Sequence, residues 1–244
     1  MPATATDTPL SEKKEICLNT EAAAGASALL EVQDLEVYFG ATPVLEKVGF
    51  SLYPRSIFGI LGPSGKGKST LLRCLNRLID LEPSARVRGR IRFNGEDLLS
   101  HSLDVDALRA RIGMLFQQPQ VFPTSVEKNV LFGARRLRRI CRAERPVLVE
   151  RCLREAALWD QVKDRLSDPA GSLSVGQQQR LCLARTLATD PEIILLDEPT
   201  SALDTDTTAA IEETFGRLAA ERSLVLVTHD PAQADRLAQR RLVL

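Results

Sequence analysis

The stretch Gly62-Pro63-Ser64-Gly65-Lys66-Gly67-Lys68-Ser69-Thr70 constrains the fold of this chain more than any other segment. It follows the apolar run Ser56-Ile57-Phe58-Gly59-Ile60-Leu61, which reads as a short buried strand. It precedes Leu71, Leu72, Leu75, Leu78 and Ile79, which fall on one face of a helix. Gly62, Gly67, Lys68 and Ser69 fit the spacing G-x-x-x-x-G-K-[ST], and the strand–loop–helix context is the one that spacing requires. Glycines let the backbone curl with its N–H groups inward, and the helix N-terminus adds positive potential. The expected occupant is a nucleotide triphosphate tail, with Lys68 at the β- and γ-phosphates and the Ser69 hydroxyl on Mg²⁺. Taken alone, the segment also reads as a chance glycine turn, and the remaining sequence has to decide.

A chain of 244 residues has the length for one large domain, or one domain with a subdomain. Its 32 basic and 32 acidic side chains balance, so no overall field favours nucleic acid, and no nucleic-acid partner is expected. No apolar run approaches the roughly 18 residues of a membrane span, and the first residues lack a signal peptide's apolar centre. A soluble, cytoplasmic protein is the expectation. Cys17, Cys74, Cys141, Cys152 and Cys182 are odd in number and lack paired metal-ligand spacing, which points to reduced thiols. Cys74 and Cys182 fall on apolar helix faces and are expected in the core. Residues Met1 to about Ala28, rich in Ala, Thr, Ser and charge, read as a mobile leader.

Beyond the leader, Leu30, Val32, Leu35 and Val37 set an alternating strand, and another follows near Val48–Leu52. A further pair is expected at Arg88–Phe93, closed by the Asn94-Gly95 turn, and at Arg111–Phe116. From Thr124 to Lys163 the pattern is helical. Continuous apolar runs return at Glu192–Leu196 and Leu224–Val227, as central strands covered on both faces require. The architecture is α/β: a nucleotide-binding core with a mostly parallel sheet, an antiparallel β subdomain, and a helical insert over about residues 120–173 within a domain spanning 29–244.

Asp197 and Glu198 close the run Ile193–Leu196, at the carboxyl end of a strand, where open α/β sheets place their sites. Without a phosphate loop upstream they would be an ordinary acidic turn. With it, Asp197 is expected to hold the Mg²⁺ shell and Glu198 to orient or deprotonate a water. In Leu173-Ser174-Val175-Gly176-Gln177, Ser174 is a good N-cap for a helix carrying Leu181, Ala184, Leu187 and Ala188. A helix start of this kind offers free N–H groups and a dipole to an anion. On this segment alone an ordinary capped helix is the better reading.

In this order the motifs resemble the ATP-binding subunits of ABC transporters, from about Leu30 to the C-terminus, and the fold expected is the P-loop ABC ATPase cassette. The resemblance implies a homodimer in which two ATP molecules are sandwiched head to tail. The start at Ser174, Gly176 and Gln177 then contacts the γ-phosphate held by the second copy. It also implies that Gln117 senses Mg²⁺ and connects to membrane subunits. Asp204, in Ser201-Ala202-Leu203-Asp204, belongs to a loop crossing the dimer interface, and His229 contacts the γ-phosphate. The adenine-stacking position falls on Phe39, with Tyr38 beside it as the alternative. Within the family the text is most similar to phosphate-importer ATPases, on Leu75–Leu78, Ser84–Gly89, Arg111–Pro119, Ala157–Asp164 and Gly176–Cys182. The partners implied are two integral membrane permease subunits and an extracytoplasmic solute-binding protein. The location implied is the cytoplasmic face of the inner membrane, held peripherally.

Three features weigh on that expectation. Val175 stands where the family has a glycine, harmless if its backbone is helical but strained if the site needs φ > 0. Lys66 either faces solvent or adds a phosphate contact. The chain ends at Arg240–Leu244, where relatives continue, so an incomplete sheet edge is expected. Separately, the cluster Arg135, Arg136, Arg138, Arg139, Arg142 and Arg145 is either a solvated face or a contact for membrane subunits or anionic lipid. Rival functions are an importer motor for an amino acid or another oxyanion, a soluble ABC ATPase of DNA repair or translation, and a binding-only regulatory cassette silenced by Val175.

Overall fold

The structure, a computed structural model, describes the backbone of residues 16–18 and the whole of residues 27–244. Its strands are β1 (Ile16–Leu18), β2 (Leu30–Phe39), β3 (Thr42–Leu52), β4 (Ile57–Leu61), β5 (Ala85–Phe93), β6 (Glu96–Asp97), β7 (Ile112–Leu115), β8 (Ile193–Asp197), β9 (Ser223–Val227) and β10 (Arg240–Val243). Its helices are α1 (Lys68–Leu75), α2 (Val105–Arg111), α3 (Val126–Leu137), α4 (Glu144–Glu155), α5 (Trp159–Val162), α6 (Val175–Leu187), α7 (Thr205–Ala219) and α8 (Pro231–Leu237).

The strands form two sheets. One runs β1-β10-β4-β9-β8-β7, parallel throughout except for β1 at its edge. The other is antiparallel in the order β3-β2-β5-β6. Strands β4, β8 and β9 are buried at every position, and their side chains divide by the period of two. Phe58, Ile60, Ile193, Leu195, Val225 and Val227 face one core, shared with α1 and the antiparallel sheet. Ile57, Ile194, Leu196, Leu224 and Leu226 face the other, shared with helices α3, α4, α6 and α7. Each fully buried large apolar side chain stabilises the fold by about 1.5–3 kcal/mol, so the apolar runs of the central strands are anchored from both sides. Phe50 of β3 stacks on Phe58 of β4 with ring centroids 4.6 Å apart. That contact fixes the antiparallel sheet to the strand that leads into the glycine-rich loop.

The expected pairing of Arg88–Phe93 with Arg111–Phe116 is not found, because the two segments lie in different sheets. In β5, Arg86, Arg88, Arg90 and Arg92 are exposed while Ile91 and Phe93 are buried, the alternation of a strand with one wet face. It pairs with β2 and turns back into β6 through Asn94 (φ 51°) and Gly95 (φ 83°). By contrast β7 is an apolar run covered on both faces, and it takes the edge beside β8, Ile112 opposite Ile193. The helical stretch appears as α3, α4 and α5, with α3 and α4 packed on α6.

Most of the expected leader lies outside the described residues. Within it, Ile16–Leu18 form β1, antiparallel to β10 with Ile16 opposite Leu242. The edge expected to stand open at β10 is therefore covered, with β4 on one side and β1 on the other. Cys74, Cys152 and Cys182 are buried free thiols and Cys141 is exposed. Burial pushes the Cys74 thiol up to about 12, so it stays protonated at neutral pH.

Candidate nucleotide-binding site

The glycine-rich loop connects β4 to α1. Gly62, Gly65 and Gly67 all have positive φ, at 146°, 81° and 84°. At Gly67 space is as decisive as φ, since a Cβ there would stand 2.7 Å from Leu45 Cδ2 and 3.1 Å from the Val44 carbonyl oxygen. Pro63, Ser64, Gly65 and Lys66 form the exposed lip of the loop. Lys68, Ser69 and Thr70 are the first turn of α1, whose start has no side-chain cap. Lys68 is only 5% exposed, and its Nζ donates to the carbonyls of Gly62 (2.8 Å) and Pro63 (3.0 Å). The ammonium is thereby held over the loop, on the side where the backbone curls.

Two carboxylates close the site from β8. Asp197 is buried, and its Oδ1 accepts the Ser69 hydroxyl at 2.9 Å. Burial raises its pKa while the Ser69 hydrogen bond opposes the rise. A hydroxyl and a carboxylate oxygen brought together in this way are the hard donors that Mg²⁺ prefers, so the residues present fit that ion. Glu198 follows in a left-handed backbone conformation, φ 44°, with its N–H on the Val227 carbonyl. Its carboxylate is the meeting point of the remaining candidates. Lys68 Nζ stands 3.6 Å from Oε1, while Gln117 Nε2 (3.2 Å) and His229 Nδ1 (3.4 Å) both reach Oε2. Gln117 arrives on the loop after β7, and His229 from the end of β9, 61% exposed.

The second anion-site candidate is separate. Among the described residues no hydrogen bond joins Ser174, Gly176 or Gln177 to the loop or to Glu198. Ser174 caps α6 with a complete capping box: its Oγ accepts the Gln177 N–H, and Gln177 Oε1 accepts the Ser174 N–H. Gln177 is therefore occupied as a cap, and the N–H groups left at the helix start belong to Val175 and Gly176. Val175 is helical with negative φ, which removes the strain anticipated for a β-branched residue there; its side chain is 50% exposed. Gly176 is needed for contact, since a Cβ would lie 2.9 Å from Thr207 Cγ2 at the start of α7. Asp204 caps that helix, accepting from the Thr207 N–H and hydroxyl, and these bonds hold its pKa below the usual carboxylate range.

Strand alternation separates the two aromatic candidates. Tyr38 faces outward, with Arg88 over its ring at 5.8 Å and its hydroxyl 3.4 Å from Glu36. Phe39 lies on the opposite face, packed on the core cluster that contains Leu45 beside the loop. Lys66 is exposed. Of the arginine cluster all but the half-buried Arg145 are exposed. Sequence reasoning missed the residues that hold these groups in place. Gln179 Nε2 donates to the Phe116 carbonyl, tying α6 to the residue before Gln117. Ser201 Oγ donates to the Glu198 carbonyl and accepts from Gln117. Both lie within stretches that the sequence singles out, Ser201–Asp204 and Gly176–Cys182, but nothing in those stretches assigns either side chain its contact.

Comparison with known proteins identifies the family. Residues 45–201 match the ABC transporter family. The phosphate import ATP-binding protein PstB 1 of Streptococcus agalactiae, in three strains, is 48% identical over 212 residues, covering 87% of this chain and 84% of the relative. The ATP-binding cassette MJ0796, solved as a dimer in a post-hydrolysis state with ADP and Pi, superposes with a TM-score of 0.75 at 30% identity, covering 88% of this chain and 94% of that one. CbiO1 of Clostridium perfringens, part of the ABC transporter complex cbiONQ, gives 0.73 at 28% identity over 89% and 87%. With a family model matched over residues 45–201 and a relative 48% identical over most of both chains, the chain belongs to the ABC transporter family.

Proposed function

We propose that this ABC-family ATPase is the motor of an importer for inorganic phosphate. The observation that carries the catalytic part is the convergence of Lys68, Gln117 and His229 on the Glu198 carboxylate, beside the Ser69–Asp197 pair. Phosphate as the solute is supported by the 48% identity to a phosphate import ATP-binding protein. The membrane partners choose the solute, so the ATP site itself does not discriminate.

The loop N–H groups and Lys68 bind the β- and γ-phosphates, and Phe39, at the end of β2, stacks on adenine. Ser69, Asp197 and Gln117 are the side chains that would hold Mg²⁺, which when bound would supply charge screening and Lewis-acid polarisation of the γ-phosphoryl group. Glu198 accepts a proton from the attacking water through its carboxylate. Gln117 and His229, both on Oε2, orient that carboxylate and complete the γ-phosphate shell. In the dimer, Ser174 with the N–H groups of Val175 and Gly176 meets the γ-phosphate bound by the other copy, and Asp204 lies at the same interface. Attack of water on the γ-phosphorus breaks its bond to the β–γ bridging oxygen, ADP is the leaving group, and departure of the freed phosphate removes the charge that joins the copies. The motion passes to two permease subunits, served by an extracytoplasmic phosphate-binding protein, with this chain on the cytoplasmic face of the membrane. No helix among the described residues is long and apolar enough to cross a membrane, in keeping with a peripheral subunit.

The test is Glu198→Gln. The amide keeps size and hydrogen bonding but does not take the proton. ATP binding is expected to persist, turnover to fall by at least about a hundredfold, and an ATP-held dimer to accumulate in size-exclusion chromatography. Undiminished hydrolysis would overturn the assignment. Phosphate uptake by the assembled system, absent with Glu198→Gln and present with the natural chain, tests the solute.

A further inference from the structure

Gln233, on the first turn of α8, is 3% exposed and belongs to none of the motifs above. Its Nε2 donates to Thr200 Oγ1 at 2.8 Å and to Glu212 Oε1 at 2.9 Å. Glu212 is a carboxylate that only accepts, so the nitrogen of the amide must face it, and both amide hydrogens are then engaged. The same carboxylate is fixed from its other side by Arg236, whose Nε reaches Oε2 at 3.1 Å and whose terminal nitrogen reaches Oε1 at 2.8 Å.

The three elements joined by this one amide all carry parts of the ATP site. Helix α8 begins directly after His229: the Asp230 side chain caps it, and the Asp230 N–H is tied to Thr228 Oγ1. Thr200 sits two residues beyond Glu198 and next to Ser201, which binds the Glu198 carbonyl and Gln117. Glu212 is on α7, whose cap is Asp204. A buried polar group with all its hydrogens committed holds its neighbours to a narrow range of positions.

We propose that Gln233 is a positioning residue for ATP hydrolysis, setting the separation of His229 from the Glu198–Ser201 turn. The proposal rests on the reading that Glu198 and His229 act on the attacking water and the γ-phosphate. It requires an amide at this position, because a carboxylate supplies neither hydrogen and meets Glu212 as a like charge.

The experiment compares Gln233→Glu, Gln233→Met and the double variant Gln233→Glu with Glu212→Gln, in the full chain with Mg²⁺ and ATP. Gln233→Glu is expected to lower kcat by about ten- to a hundredfold, as misplaced catalytic groups do, with KM for ATP changed less than about twofold. The double variant restores the donor–acceptor match between the two positions, since the amide now at position 212 donates to the carboxylate now at position 233 and the Thr200 hydroxyl turns to donate as well; Arg236 gives up its contact to the former Oε1 and keeps the one through Nε. Its kcat is expected to return to within about threefold of the natural chain. Gln233→Met removes the donors without adding charge, and covers the case in which Gln233→Glu does not fold. A folded Gln233→Met with natural kcat would overturn the proposal. So would a double variant no better than Gln233→Glu, or losses matching the folded fraction read by circular dichroism. Glu198→Gln assayed alongside separates the two levels: if it still turns over, the reading of the site fails, whatever the Gln233 variants do.

Discussion

Two helix starts in this molecule, at α1 and α6, solve the same problem in opposite ways. Both begin with backbone N–H groups that lack intrahelical partners. At α6 a serine and a glutamine satisfy one another and the first turn, leaving only the N–H groups of Val175 and Gly176. At α1 the position of the cap is Gly67, with φ 84° and no side chain to accept a hydrogen bond. The uncapped start is embraced by β3 and by Lys68, whereas the capped start stands at the surface. The contrast shows that a cap decides how many N–H groups a helix start has left to offer an anion. On the function proposed above, the start that takes up the nucleotide within one chain is left uncapped, and the start that meets a partner's nucleotide carries its own cap.

Substitutions at the two starts should therefore fail in different ways. Gly67→Ala breaks the bare start. A Cβ with φ 84° and 2.7 Å from Leu45 Cδ2 is expected to cost about 3 kcal/mol or more. Both the denaturant midpoint and ATP affinity should fall, and an unchanged midpoint would refute the packing argument. Ser174→Ala removes the cap and is expected to cost about 1 kcal/mol of stability. ATP binding to the single chain, read by fluorescence titration, should be unaffected, while ATP-driven dimerisation weakens. Equal loss of both would erase the distinction between the two starts.

Val175→Gly refines the comparison further. Glycine costs a few tenths of a kcal/mol relative to valine in a helix, so melting should fall slightly while dimerisation with ATP strengthens as the exposed side chain is removed. A third start, α7, is capped by a carboxylate and gives the smallest effect. The Asp204 pKa is lowered in the folded chain, first by the Thr207 N–H and then by its hydroxyl. Its stabilising contribution is present above the unfolded value of about 3.9 and is lost as pH falls through the lower folded value. Asp204→Asn should cap nearly as well and flatten that part of the acid-unfolding curve, measured between pH 5 and about 2.

Much of this was legible in the sequence because the decisive signals were local. Continuous apolar runs at Ile193–Leu196 and Leu224–Val227 are central strands, and the strand–loop–helix at Gly62 carries its own geometry in its glycines. The placement of Arg111–Phe116 was readable too, for Ile112-Gly113-Met114-Leu115 is a continuous run and Arg88–Phe93 an alternating one; the period decides which sheet each joins. The rest depended on contacts between distant segments. Nothing in Ile16–Leu18 announces that it lies on β10. Nor does Pro231-Ala232-Gln233-Ala234 show that its amide reaches residues 33 and 21 positions away. Buried polar pairing has no period, so it emerges only when the helices are packed.

The left-handed backbone of Glu198 has a consequence for any effort to diversify this site. A library randomised at residue 198 and sorted for expression alone would enrich glycine, asparagine and aspartate, the side chains that tolerate φ 44° with least penalty. Each of these is too short to take up the position of glutamate's terminal oxygens. On the role proposed for Glu198, sorting for yield would thus drive the population away from turnover, and clones that keep glutamate would be recognised by lower yield rather than by higher.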